Sequence, residues 1–164
     1  PWFGNPRGVG PIGTRGLGMH GHGLCLETPD GFIVSLEAAT GKERWHKQIA
    51  DVKAEYFATT SPIVIGNHLI VGLSGDALDV PAWLESRDPE TGDIQWKWYT
   101  TPPAGEPGIE TSPDASTAAH GGRMPWQPVT HGPTCTHISR TTGKPNPDDR
   151  EDLSAAGTTY TRRT

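Results

Sequence analysis

A motif that occurs twice limits the folds open to this chain more than anything else in it. Residues 35–45, SLEAATGKERW, return as residues 86–96, SRDPETGDIQW. Each copy sets an acidic residue before Thr-Gly and a tryptophan four residues beyond that glycine: Glu37, Thr40, Gly41 and Trp45, then Asp88, Thr91, Gly92 and Trp96. The tryptophans stand 51 residues apart. Acidic and Thr-Gly residues suit a tight turn with a positive-φ position, and the charged-aromatic run that follows suits a half-exposed strand. Each copy therefore predicts a hairpin. A large flat ring at a fixed offset has a reason to be there if it wedges between neighbouring sheets, burying ~150–250 Å² where they meet. A period of this size marks stacked four-stranded units.

Composition agrees. The 164 residues include 21 glycines and 16 prolines, about twice the usual share, which favours a turn-rich all-β chain over long helices. Net charge is −5. Arg162 and Arg163 are too few to make the basic stripe that a phosphate backbone requires, so nucleic acid is not expected as a partner. No run of ~18 apolar residues is present, so no membrane span is expected, and the first ten residues, PWFGNPRGVG, lack the apolar core of a signal peptide. Cys25 and Cys135 lie in different neighbourhoods and read as unrelated small thiols.

Along the chain, residues 1–23 are Gly-rich and read as a connecting loop. Short strands are expected at 24–27 and 32–36, joined at Pro29-Asp30-Gly31, and then at 45–49. Two apolar runs, 63–65 and 69–71, split by Gly66-Asn67-His68, form another hairpin of the continuous apolar character that suits a central strand. Residues 82–86 and 94–99 flank the second motif, with Trp96 and Trp98 alternating with lysine so that one face is aromatic. Residues 101–118 read as a long surface loop, and 119–130 as a Gly-rich approach to a strand. The residues beyond 136 read as an irregular tail. The domain reading is a Gly-rich loop over 1–23, repeat units over 24–135 and the tail over 136–164.

The segments RGLG, TPDGFIVSLEAATGKERW, SPIVIGNHLIVGLSGD, LESRDPETGDIQWKWY and HGGRMPWQP occur in one order and spacing over about residues 13–130. In this they resemble the quinoprotein alcohol dehydrogenases, the pyrroloquinoline quinone (PQQ) enzymes built on an eight-bladed propeller of tryptophan-docked blades. The resemblance implies an all-β chain forming a partial β-propeller of about two to three four-stranded blades, a fragment of the ~400 residues or more that a closed ring needs. It implies oxidation of a small primary alcohol by PQQ beside Ca2+ or a lanthanide, with a cytochrome c-type or quinone electron acceptor, in the periplasm. Residue by residue, Arg15 matches an arginine that forks onto the quinone, and Thr59 a hydroxyl donor to it. Ser74 and Gly75 match a loop running close over the cofactor, and Trp126 the indole floor beneath its plane. Without the resemblance these would be a loop arginine, a strand threonine, a strand-ending turn and one more docking tryptophan.

The departures are informative. Ala77 stands where the family has a glutamate metal ligand and Lys144 where it has an asparagine, and an ammonium cannot ligate a hard cation. Asp76, or Asp79, is the candidate replacement ligand. Gly8, Val9 and Gly10 stand where the family has a vicinal cysteine pair. The catalytic aspartate is expected beyond Thr164, so the chain alone is expected to show no alcohol oxidation. The lost ligands leave a second reading, a noncatalytic PQQ-repeat scaffold that binds protein partners. A third takes His20, His22 and His120 as a metal site, against solvated loop histidines.

Overall fold

The computed structural model describes residues 14–51, 53, 56, 58, 60–73, 81–111, 125, 129–132, 137–139 and 162–163, to which all structural statements refer. They contain no α-helix. The first sheet is an antiparallel meander in the order β1 (Gly18–His20), β2 (Gly23–Thr28), β3 (Phe32–Glu37), β4 (Glu43–Gln48). The second repeats it with β5 (Ile63–Ile65), β6 (His68–Gly72), β7 (Trp83–Arg87) and β8 (Ile94–Tyr99). A third sheet joins β9 (Thr130–His131), β10 (His137–Ser139) and β11 (Arg162–Arg163). The architecture is all-β, a partial β-propeller of two four-stranded blades followed by further strands.

The two motifs build the same object. Ser35 pairs Trp45 and Ser86 pairs Trp96, and in both blades the register slips at the next residue, a bulge repeated at the same place. The turns match bond for bond. Gly41 N–H donates to the Glu37 carbonyl and Gly92 N–H to the Asp88 carbonyl, each at 2.8 Å. Both glycines have positive φ, 70° and 77°, which explains why the motif requires glycine there.

Alternation places the core. In β2, Gly23, Cys25 and Glu27 are buried while Leu24, Leu26 and Thr28 are half-buried, the period of a strand with one packed face. Cys25 and Ile33 of the first sheet pack with Leu69, Val71 and Trp83 of the second. Ile70 and Leu84, on the second sheet's other face, pack with Val129 and Ile138. Removing a side chain as buried as Ile33 or Leu69 from water contributes ~1.5–3 kcal/mol. Trp45 docks the first blade on the second: its indole N–H donates to the Pro89 carbonyl at 3.3 Å. Trp96 and Trp98 pack against the second core.

Three features differ from the sequence reading. A strand, β1, lies inside the Gly-rich stretch, because Gly16 and Gly18 let the chain run close against Ser61, Pro62 and Val64. The run 63–65 is an edge strand, and only β6 of that hairpin is central. Its apolar residues are explained by packing on both faces, Val64 against Gly18 and the first core, Ile63 and Ile65 against the second. Beyond residue 136, β10 and β11 pair in a sheet, with Ile138 buried under the second blade.

Candidate functional site

Antiparallel connectivity sorts the loops onto two ends. The turns at Gly21, Gly41, Gly66 and Gly92 lie at one end of the two blades, while the start of β1, the end of β2, the start of β5 and the end of β6 lie at the other. Arg15, the Pro29–Gly31 turn, Leu73 and Pro81 belong to this second end. The two blades depart from strict repetition here. Gly21 and Gly66, in the β1–β2 and β5–β6 turns, are 45 residues apart, whereas Gly41 and Gly92 are 51 apart. The second blade therefore carries six more residues between its Gly66 and Gly92 turns.

The approach to β1 has two faces. Toward the second blade, a Cβ on Gly16 would come within 2.5 Å of Ser61 Oγ, and one on Gly18 within 3.1 Å of the Pro62 carbonyl. No larger residue fits without movement. On the opposite side Arg15, Leu17 and Met19 alternate along the chain and are exposed, Leu17 at 56% and Met19 at 63%. Large apolar side chains so exposed, in line with a guanidinium on a glycine-anchored edge, suit a flat ligand with anionic or carbonyl edges.

Beneath this edge lies Glu27, fully buried. Its carboxylate accepts the Thr60 N–H at 3.0 Å and the Gly72 N–H at 3.3 Å, both from the second blade, and Thr14 Oγ1 reaches its carbonyl at 3.5 Å. Thr60 is also fully buried, and its hydroxyl has no hydrogen-bond partner among the described residues, the kind of orphan that a ligand or water satisfies. Burial pushes the Cys25 thiol above its ordinary range, which makes it a poor nucleophile.

Of the residues named from the sequence, Arg15 is placed, exposed, at this end. Thr59, Ser74, Gly75, Asp76, Ala77, Asp79, Trp126, His120, Cys135 and Lys144 lie outside the described residues. Their described neighbours are Thr60, Leu73, Pro125 and Val129, all buried. His20 faces Glu90, with Nε2 3.5 Å from Oε1, and no cluster of metal-ligating side chains occurs among the described residues. Sequence reasoning missed Glu27, although β2's alternation sets a carboxylate on the same face as Cys25, which is itself a signal. It also missed the buried pair Arg87–Glu85, at 2.6 Å, on the face toward the first blade; Arg87 donates as well to the Gln48 carbonyl there.

No family model matches the chain. It is 29% identical over 156 residues to quinohemoprotein alcohol dehydrogenase ADH IIB of Pseudomonas putida, a match covering 88% of the chain and 22% of that enzyme. To the 1-butanol dehydrogenase (quinone) of Thauera butanivorans it is 32% identical over 140 residues, covering 70% of the chain and 22% of that enzyme. The solved structure of a europium-containing methanol dehydrogenase superposes with a TM-score of 0.82 at 26% identity, over 93% of the chain and 30% of its own. The chain thus spans well under half the length of the proteins it matches. Its homologues and structural neighbours are the quinoprotein alcohol dehydrogenases, and the chain belongs to that family, corresponding to part of its members.

Proposed function

We propose that this chain forms part of the cofactor cradle of a dehydrogenase that oxidises a small primary alcohol with PQQ and a metal ion. The observation that carries the reading is the stretch leading into β1, where Arg15, Leu17 and Met19 line one exposed side while Gly16 and Gly18 hold the other against the next blade. The described residues fit a planar, carboxylate-bearing quinone: a guanidinium can fork onto its oxygens, and apolar neighbours cover a ring face.

When bound, PQQ supplies the two-electron acceptor and the metal polarises its carbonyl. The chain's own contribution is to bind and orient. Arg15 anchors an anionic edge, Thr59 donates a hydroxyl, Ser74 and Gly75 bring the backbone near, and the Trp126 indole stacks beneath the plane. Asp76 is the proposed metal ligand in place of Ala77, with Ca2+ or a lanthanide as the ion. A cytochrome c-type or quinone acceptor and a periplasmic setting complete the reading. In the test, PQQ with added Ca2+ quenches tryptophan fluorescence saturably, Arg15→Ala weakens binding at least tenfold, and Asp76→Ala lowers metal affinity. Equal PQQ binding by wild type and Arg15→Ala refutes the cradle.

Ala77 and Lys144 favour a second reading, a noncatalytic propeller scaffold for protein partners. It requires no PQQ binding, so the same titration separates the two.

A further inference from the structure

We infer that Glu27 is the positioning residue of this cradle, its buried carboxylate tying together the stretches that carry Thr59 and Ser74–Gly75 while its main-chain carbonyl takes up the stretch that carries Arg15. This rests on the cradle reading and adds a residue to it. Glu27 is the penultimate residue of β2 of the first blade, yet its two carboxylate oxygens accept backbone N–H groups of the second: Oε2 that of Thr60, next in sequence to Thr59, and Oε1 that of Gly72, two residues before Ser74. Its carbonyl takes the hydroxyl of Thr14, the neighbour of Arg15. One residue thus gathers three stretches that sequence separates by up to 58 residues, Thr14 to Gly72.

The side-chain chemistry fits this role. A buried charge is costly unless hydrogen bonds satisfy it, whereas core packing alone calls for leucine or valine, which the rest of the blade interface supplies at Leu69 and Val71. Glu27 shows no exposed surface, so it acts through the segments it holds rather than by touching ligand. Both donors are main-chain groups, so the clamp fixes backbone, which is what a loop running close over a flat cofactor needs.

The test uses the full chain, PQQ with added Ca2+, and two variants. Glu27→Gln keeps the volume but turns one oxygen into a donor that cannot pair with a backbone N–H. Glu27→Asp keeps the charge and shortens the reach by one methylene. Amide hydrogen exchange is read by NMR at Thr60 and Gly72, with Glu85 and Trp98 of β7 and β8 as controls for a folded second blade. The expected result is protection of both amides in wild type and its loss in the variants while the controls stay protected. The PQQ dissociation constant is expected to rise about tenfold, the factor by which a competent population of one in ten weakens apparent affinity. Faster exchange with PQQ affinity unchanged within about twofold makes Glu27 a staple between blades and overturns the inference. Unchanged exchange in both variants overturns it as well. If wild type itself binds no PQQ, the cradle reading fails first, an outcome recognisable without any variant.

Discussion

The two motif glycines provide an internal control for how tryptophan docks one blade on the next. Gly41 and Gly92 occupy the same place in the same turn with nearly the same φ, 70° and 77°. Alanine in that left-handed region costs about 1–2 kcal/mol at either site. Their surroundings differ. A Cβ at Gly41 meets nothing within 4 Å, whereas at Gly92 it would lie 2.7 Å from Trp45 Cε3, 2.9 Å from Cζ3 and 2.8 Å from Lys47 Cγ. Lysine can swing away; an indole hydrogen-bonded to the Pro89 carbonyl cannot do so freely. Overpacking of this kind adds about 1–3 kcal/mol, so Gly92→Ala is expected to cost about 2–5 kcal/mol against about 1–2 for Gly41→Ala.

Equilibrium urea unfolding reads the difference. With a slope of about 2 kcal/mol per molar urea, the two midpoints separate by about 0.5–1.5 M. Trp45→Ala closes the cycle. Alone it costs about 2–3 kcal/mol, below the ~3–5 kcal/mol of a fully buried tryptophan because Trp45 is half-buried. In its background Gly92→Ala falls to the cost of φ alone, a coupling of about 1 kcal/mol or more. Coincident midpoints for the two glycine variants, or additivity within about 0.5 kcal/mol, would falsify the seating of the indole on the second turn.

Three further outcomes follow from the same contacts. Burial, helped by Tyr99, pushes the Tyr56 hydroxyl up to about 12 while it donates to the Pro81 carbonyl at 2.9 Å. Because the folded value lies above the ordinary 10.0, the stabilisation is complete below pH 10 and lost as pH rises toward 12. Tyrosinate absorbance should show a late step that Tyr56→Phe removes, and a single step near the ordinary value argues against it. Arg87→Leu strands the buried Glu85 carboxylate and is expected to cost about 3–5 kcal/mol. Adding Glu85→Val, which restores the Val34 and Leu36 pattern of the first blade, should recover at least half; no recovery in thermal unfolding counts against the ion pair. The hydrogen bond from Lys47 holds the Asp93 carboxyl below the ordinary carboxylate range. Its small surface contribution is present at neutral pH and fades as pH falls through that lowered value. Lys47→Ala should move the Asp93 titration upward by NMR, and an unmoved curve rules the contact out.

Much of the fold is legible because its determinants are local. Thr-Gly at a fixed distance from tryptophan specifies turn, bulge and docking ring together, and alternation in 24–27 and 32–36 specifies which face is buried. What the chain alone conceals depends on neighbours. β1 is a strand because Gly16 and Gly18 meet Ser61 and Pro62, a contact made across more than forty residues. β5 looks like a central strand because both its faces are packed, Val64 on the first core and Ile63 and Ile65 on the second. Glu27 reads as a turn-flanking acid until Thr60 and Gly72 are seen to donate to it.

The same distinction explains where the repeat breaks. The Thr-Gly end must stay regular, since the second blade's turn seats the first blade's tryptophan: Trp45 lies on Pro89 and Gly92, Arg44 pairs Glu90 and Lys47 pairs Asp93. An insertion there would displace a ring and two ion pairs at once. The opposite end carries no such contact between motif residues, so six residues can be added between the Gly66 and Gly92 turns without disturbing the docking of the blades. Ser74, Gly75 and Asp76 fall within that longer connection. A chain free to vary at one end and fixed at the other places its adaptable chemistry on the free end, and Glu27 is the described residue that fastens the base of this loop to the rigid first blade.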